Sequence, residues 1–248
     1  MGGKKDSTKT RVIPLMKKIG QDKNKLNLLF SLLTNIKPIQ TDEEILEICF
    51  GENEKGLCPK QSLLEWLVNN TDKLTHLDNY GSSNKITQEN RKQLFNGSET
   101  KKNEALSLIR SNPEKNKEWY IFEGYSKPDI YIETTSSIYI AEAKRTEQHL
   151  TTSTQWLDPR DQLIRHADSV IDGKKSVYYF FIIDEEKINT YELTRYNDLD
   201  YYKKNLPHRN NKSEFQKFRN SYCGYTTWGR ISEILKIQFP ETVDEIIN

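Results

Sequence analysis

No stretch of this chain is apolar for long enough to cross a bilayer; its most apolar segment, residues 176–183, falls far short of the ~20 residues that a spanning helix needs. Cysteine is scarce. Cys49, Cys58 and Cys223 are too few and too scattered for a disulfide framework or a zinc finger. The four histidines, His76, His149, His166 and His208, stand at no metal-ligand spacing, and no HExxH occurs. Neither a Walker phosphate loop nor a dinucleotide glycine fingerprint is present, so the chain carries no ATPase motif of its own. An excess of one charge is also missing: 37 Lys and Arg face 36 Asp and Glu, a formal net charge of +1. That balance rules out a whole-molecule electrostatic argument for nucleic acid. The first residues, MGGKKDSTKT, are basic and polar, so a secretory signal is not expected and a cytoplasmic location is.

What is there is enough for a substantial core: 248 residues can form one large domain or two small ones. The sequence suggests three parts. Residues 1–22 read as a flexible basic arm, the first 18 of them holding Lys4, Lys5, Lys9, Arg11, Lys17 and Lys18 against Asp6 alone. Residues 23–85 read as short helices. Leu26, Leu29, Phe30 and Leu33 form one apolar face, Thr41 and Glu44 a capping box before a second helix, and Leu63, Leu64, Trp66 and Leu67 a third. This segment is a candidate surface for a protein partner. Residues 86–248 read as an α/β unit. It begins with helix over 87–111, then a strand around WYIF at 119–122.

The informative stretch is KPDIYIETTSSIYIAEAKR at 127–145. Ile130, Tyr131, Ile132 and Ile138, Tyr139, Ile140 are β-branched and aromatic runs separated by turn residues, which predicts a hairpin. Asp129 stands at one end of it; Glu142 and Lys144 stand at the other. Side chains alternate along a strand, so Glu142 and Lys144 share one face while Ala141 and Ala143 take the opposite one. Charged groups on an otherwise buried strand are costly unless something compensates them. Two carboxylates and a lysine on one spot suit a hydrolytic Mg²⁺ site, with hard oxygen ligands for the cation and the lysine to position or deprotonate water. The bland alternative for Glu142 and Lys144 is a surface salt bridge on an edge strand.

Downstream, Asp158 before Pro159 predicts a helix start. Leu163, Ile164, Ala167, Val170 and Ile171 then recur at helical spacing up to Gly173. SVYYFFII at 176–183 predicts a fully buried strand. Helices are expected near 214–222, started by Ser213 and Gln216, and near 228–238.

With Pro128-Asp129 and Glu142-Ala143-Lys144 in strand context, the chain resembles the PD-(D/E)XK phosphodiesterase superfamily, the restriction-endonuclease-like fold. The motif spans residues 128–144 and the surrounding pattern extends it to about 86–184. The resemblance implies a core of helix, three strands, helix and strand, a mixed sheet flanked by helices, here with an added N-terminal helical segment. It implies a metal-dependent nuclease, a DNA endonuclease of restriction, repair or phage-defence type. The alternatives are an RNA-directed or exonucleolytic member and a non-catalytic nucleic-acid-binding module.

Carried over residue by residue, Asp129 and Glu142 would hold Mg²⁺, or Mn²⁺, with the Ala143 carbonyl. Lys144 would serve the attacking water, and Gln162 would be the helix glutamine that many members turn toward the site. An additional acid, where members have one, would be Glu99, Glu104 or Glu123. Arg145 is a candidate phosphate contact whose bland reading is a solvated strand end. DNA is the expected partner ahead of RNA, no membrane is expected, and a homodimer is the family's usual way to cut both strands. A second basic segment, 203–230, interleaves Lys203, Lys204, His208, Arg209, Lys212, Lys217, Arg219 and Arg230 with Tyr201, Tyr202, Phe215, Phe218, Tyr222, Tyr225 and Trp228. Residue by residue these read as core and solvated face; as a segment they form a candidate DNA-facing flank.

Overall fold

The computed structural model describes residues 5–112 and 114–247, so Lys4 of the basic arm lies outside the described residues. One five-stranded sheet organises the chain, its strands lying side by side in sequence order. β2 (Ile130–Thr134) runs antiparallel to both β1 (Ile45–Phe50) and β3 (Ser137–Ala143). β4 (Ser176–Ile183) is parallel to β3, and β5 (Tyr222–Thr227) is parallel to β4. The sheet is therefore mixed, as expected.

Helices cover both faces. α1 (Ile13–Ile19) continues a π-helical turn at Thr8–Val12 and is followed by α2 (Lys23–Phe30). Between β1 and β2 come α3 (Gln61–Asn69), α4 (Lys85–Phe95) and α5 (Glu99–Ser111). α6 (Gln162–Val170) links β3 to β4; α7 (Leu199–Asn205) and α8 (Lys212–Ser221) precede β5. α9 (Trp228–Leu235) and the short α10 (Asp244–Ile247) end the order. Val12, Leu15 and Met16 of the N-terminal helix, with Leu26 and Phe30 of α2 and Ile231 of α9, pack on Tyr139, Ala141 and Ala143. On the opposite face Leu163, Ile164 and Ala167 of α6, Tyr202 of α7 and Phe218 of α8 pack on Ile138, Ile140, Tyr179 and Phe181. The period-2 alternation of β3 thus sorts its side chains between two cores. α3–α5 make a third cluster with Tyr120, Phe122 and Trp156.

Several expectations need correction. The N-terminal arm is helical from Thr8 to Ile19, because its basic residues hid the apolar set Val12, Leu15, Met16 and Ile19, all at most 2% exposed. The second helix of segment 23–85 is instead β1. Ile45–Phe50 is too short for a stable helix, and its Ile and Phe side chains suit pairing with β2. Thr41 and Glu44 cap no helix; Glu44 leads into β1, its carbonyl accepting from Thr135 N at 3.0 Å. The WYIF segment is not a strand. Its carbonyls at Trp119 and Ile121 accept from the Arg91 guanidinium, and its side chains fill the third cluster. β5 went unread because its aromatics looked like part of a basic flank. α6 starts later than expected: Asp161, not Asp158, is the N-cap, accepting from Ile164 N at 3.1 Å. α8 is capped by Asn211 with Glu214, one box earlier than Ser213 with Gln216.

Candidate active site

The β2–β3 hairpin fixes the geometry. Ile130 pairs with Ala141, so Asp129, just before β2, lies beside Glu142 near the end of β3. Asp129 Oδ2 accepts from Ala143 N at 2.7 Å, and its Oδ1 has no hydrogen bond among the described residues. Lys144 N donates to Ile182 O at 2.8 Å, carrying the β3–β4 ladder one residue further, and Lys144 O accepts from Trp228 Nε1 at 3.2 Å. The strand end is thereby held on both sides.

α6 lies across this end. Its N-cap Asp161 is buried and accepts from the Tyr196 and Tyr201 hydroxyls at 2.6 and 3.0 Å, which locks the first turn. Gln162 and His166, four residues apart, share a helix face. Gln162 Oε1 accepts from Lys144 Nζ at 3.3 Å, and His166 Nε2 is 3.1 Å from Glu142 Oε2. The other Glu142 oxygen accepts from Lys144 Nζ at 2.8 Å. Asp129, Glu142, Lys144 and Gln162 therefore meet at one point, with the Ala143 amide bound to Asp129. The Glu142–Lys144 contact is a salt bridge, but a buried one on a central strand: the residues are 2% and 8% exposed.

Charge at this point is finely set. Burial alone raises a carboxyl pKa. For Glu142 the hydrogen bond from His166 and the charge of Lys144 outweigh burial and hold the group below its usual range, as an anion. Lys144 is driven down by burial but raised further by Glu142, so its amine is held as ammonium. As a cation it can hold water or a phosphate oxygen; it cannot take a proton. Asp129 lacks such support. Burial, then the charge of Glu142, push its carboxyl well above the ordinary value. With Glu142 ionised, the His166 hydrogen that faces it belongs on Nε2, and His166 Nδ1 is buried without a hydrogen-bond partner among the described residues.

Sequence reasoning did not connect two of these groups. His166 bonds Glu142, and its four-residue spacing from Gln162 was the available signal. Glu54, half-buried just after β1, has its carboxyl raised by burial and by the charge of Glu142, against Lys127, and its own charge acts on Asp129. Nothing local in the sequence marks it, since only the pairing of β1 with β2 brings it close. The three acids expected to join the site are placed elsewhere. Glu99 and Glu104 lie on α5 facing Lys102 and Lys101. Glu123 is buried with both oxygens held by Arg160 at 2.9 Å. Arg145 is neither solvated nor open to a phosphate: at 3% exposure it donates to Thr10 Oγ1 and to Glu241.

Among the described residues no three His, Cys, Asp or Glu side chains converge into a ready-made metal cage. Two carboxylates are nevertheless what Mg²⁺ asks of a protein, since it usually keeps several waters and takes one or two carboxylates. The unbonded Asp129 Oδ1 and the repulsion between Asp129 and Glu142 fit a cation that would relieve it. Among the described residues no helix is long and apolar enough to cross a membrane. Compared with known proteins, the chain matches no family model, no curated protein and no solved structure.

Proposed function

We propose that this chain is a divalent-metal-dependent nuclease that hydrolyses phosphodiester bonds in DNA, on a restriction-endonuclease-like core. The observation that carries the reading is the meeting of Asp129, Glu142, Lys144 and Gln162 where two neighbouring strands and the start of α6 come together. The order of three antiparallel strands, a helix and a parallel fourth strand supports it, with α3–α5 inserted after the first strand.

Asp129 and Glu142 would hold Mg²⁺, or Mn²⁺ in its place, with the Ala143 carbonyl as a further donor. When bound, the cation supplies Lewis-acid polarisation of the phosphate and a more acidic water. The rest falls to the chain itself. Lys144, as ammonium, hydrogen-bonds the attacking water or a phosphate oxygen and neutralises charge that develops there. Gln162 orients Lys144 through Nζ, and His166 fixes the Glu142 carboxylate from behind. Held as ammonium beside Glu142, Lys144 positions the water. Cutting both strands calls for two such sites, so the reading includes a dimer.

The test is a cleavage assay on plasmid, linear duplex, single-stranded DNA and RNA, each with Mg²⁺, Mn²⁺ or EDTA, with Glu142→Ala run alongside. The reading expects DNA to be cut with either metal, and no cutting in EDTA or by the variant. Cutting that persists in Glu142→Ala, or in EDTA, would overturn it.

A further inference from the structure

Ten arginines occur in the chain. Eight have guanidinium groups tied to carboxylates or backbone carbonyls, Arg145, Arg160 and Arg209 among them. Arg219 of α8 and Arg230 of α9 make no ion pair or side-chain hydrogen bond among the described residues. Both line one cleft of about 780 Å³. It runs along the outer edge of β5, between the turn after α2 (residues 31–35) and the turn at 193–197. No carboxylate is among its lining residues. Asn35, Asn197, Asn220 and Tyr225 also face it with side chains that bond nothing else among the described residues.

The strand is shaped for this. Tyr222 pairs with Tyr179 and Tyr225 with Phe181, so Cys223 and Gly224 together stand opposite Phe180. This is a β-bulge, with Gly224 in the left-handed region at φ +77°. Without the extra residue Tyr225 would turn to the opposite face. With it, Tyr225 joins the row of Phe181 and Glu142. Two strand spacings put its backbone about 10 Å from that of Glu142.

We propose that this cleft binds a single strand of nucleic acid, Arg219 and Arg230 meeting phosphates and Tyr225 stacking on a base. Guanidinium forks match phosphate oxygens bidentately, and amides beside an aromatic ring suit sugars and base edges. The volume is that of a small-ligand site, which admits a strand and not a duplex. The basic and aromatic segment 203–230 thus resolves into two populations. Tyr202, Phe215, Phe218 and Trp228 belong to the core, Arg219 and Arg230 face the cleft, and Tyr222 and Tyr225 stand between the two, packed on the core and lining the cleft. Binding here uses neither Asp129 nor Glu142, so it succeeds or fails apart from cleavage.

The test is fluorescence anisotropy of the full chain with a short labelled single-stranded DNA, in EDTA so that nothing is cut. Arg219→Ala/Arg230→Ala should weaken binding at least about 10-fold and flatten the log–log salt dependence by about 1.4, two phosphate contacts on a single strand. Tyr225→Leu should weaken binding by about 10-fold with the salt slope unchanged. Arg219→Lys/Arg230→Lys, which keeps the charge and loses the fork, should fall between, and guards against a folding defect in the alanine pair. Lys203→Ala/Lys204→Ala, an equal loss of charge from exposed residues outside the cleft, should change neither value. No binding by the wild type would overturn the proposal. So would unchanged binding by the arginine variants, equal loss in the lysine pair, or displacement of the DNA by polyglutamate as readily as by unlabelled DNA.

Discussion

Glu142 and Asp129 are neighbours with opposite fortunes. Glu142 is almost fully buried, yet Lys144 and His166 each bond one of its oxygens and keep it charged. Asp129 has one backbone N–H and the repulsion of Glu142. An amide in its place can still accept from Ala143 N and carries no charge to bury. Asp129→Asn is therefore expected to raise the melting temperature in EDTA, by about 2–4 °C for a gain of order 1 kcal/mol, while abolishing cleavage. Thermal melts with and without Mg²⁺ check this: the metal should stabilise the wild type and leave the variant unmoved. An Asp129→Asn protein that melts lower in EDTA would contradict the account of the repulsion. At this scale the site was largely legible. The face-sharing of Glu142 and Lys144 follows from strand alternation, and Ala141 and Ala143 are small where α-helices press on the other face. Glu54 was not legible, because pairing across a distant strand leaves no local trace.

Among the elements, α6 is the one most tied into buried polar bonds that reach other elements. At its first turn Asp161 gathers two tyrosine hydroxyls. Further along, buried Asp168 accepts from Arg160 at 2.8 Å and from Arg209 at 2.9 Å. Arg160 also holds Glu123 and the Asn205 carbonyl, so one network joins α6 to α7 and to the segment before β2. Burial pushes the Asp168 carboxyl up, but Arg160, His208 and Arg209 outweigh it and hold the group below the ordinary carboxylate range. A depressed pKa gives stability that is present above the unfolded value, about 3.9, and is lost as pH falls through the folded one. Asp168→Asn takes one carboxylate from two guanidinium groups that keep Glu123 and Asp172 as partners, and is expected to cost about 1–3 kcal/mol at neutral pH. It should also remove part of the wild type's loss of stability below about pH 4. Urea unfolding at neutral and acid pH measures both, and equal acid slopes would refute the assignment. The elements themselves were legible where periodicity was long, as in β4 and α6. β1 and β5 were not, since six residues beside capping or aromatic signals carry too little pattern to fix a strand.

For the molecule as a whole, near-neutral charge is matched by an interior that consumes its arginines, so any nucleic-acid contact has to be local and not long-range. The division into arm, helical segment and α/β unit does not survive folding. α1, α2 and β1 belong to the same sheet and core as the motif strands, and only α3–α5 form a cluster of their own. Apolar positions interleaved with lysines concealed that union. The partner surface expected on residues 23–85 is correspondingly reduced, with Leu26, Leu29 and Phe30 buried against the sheet.

The most direct test of the account is the cleavage rate of Lys144→Ala against wild type on one DNA substrate in Mg²⁺. In the proposed mechanism Lys144 is the group on which positioning of water and neutralisation of phosphate charge both rest. The account predicts a loss of at least about 100-fold, with far-UV circular dichroism unchanged. A Lys144→Ala protein that folds and cuts as fast as the wild type would contradict it.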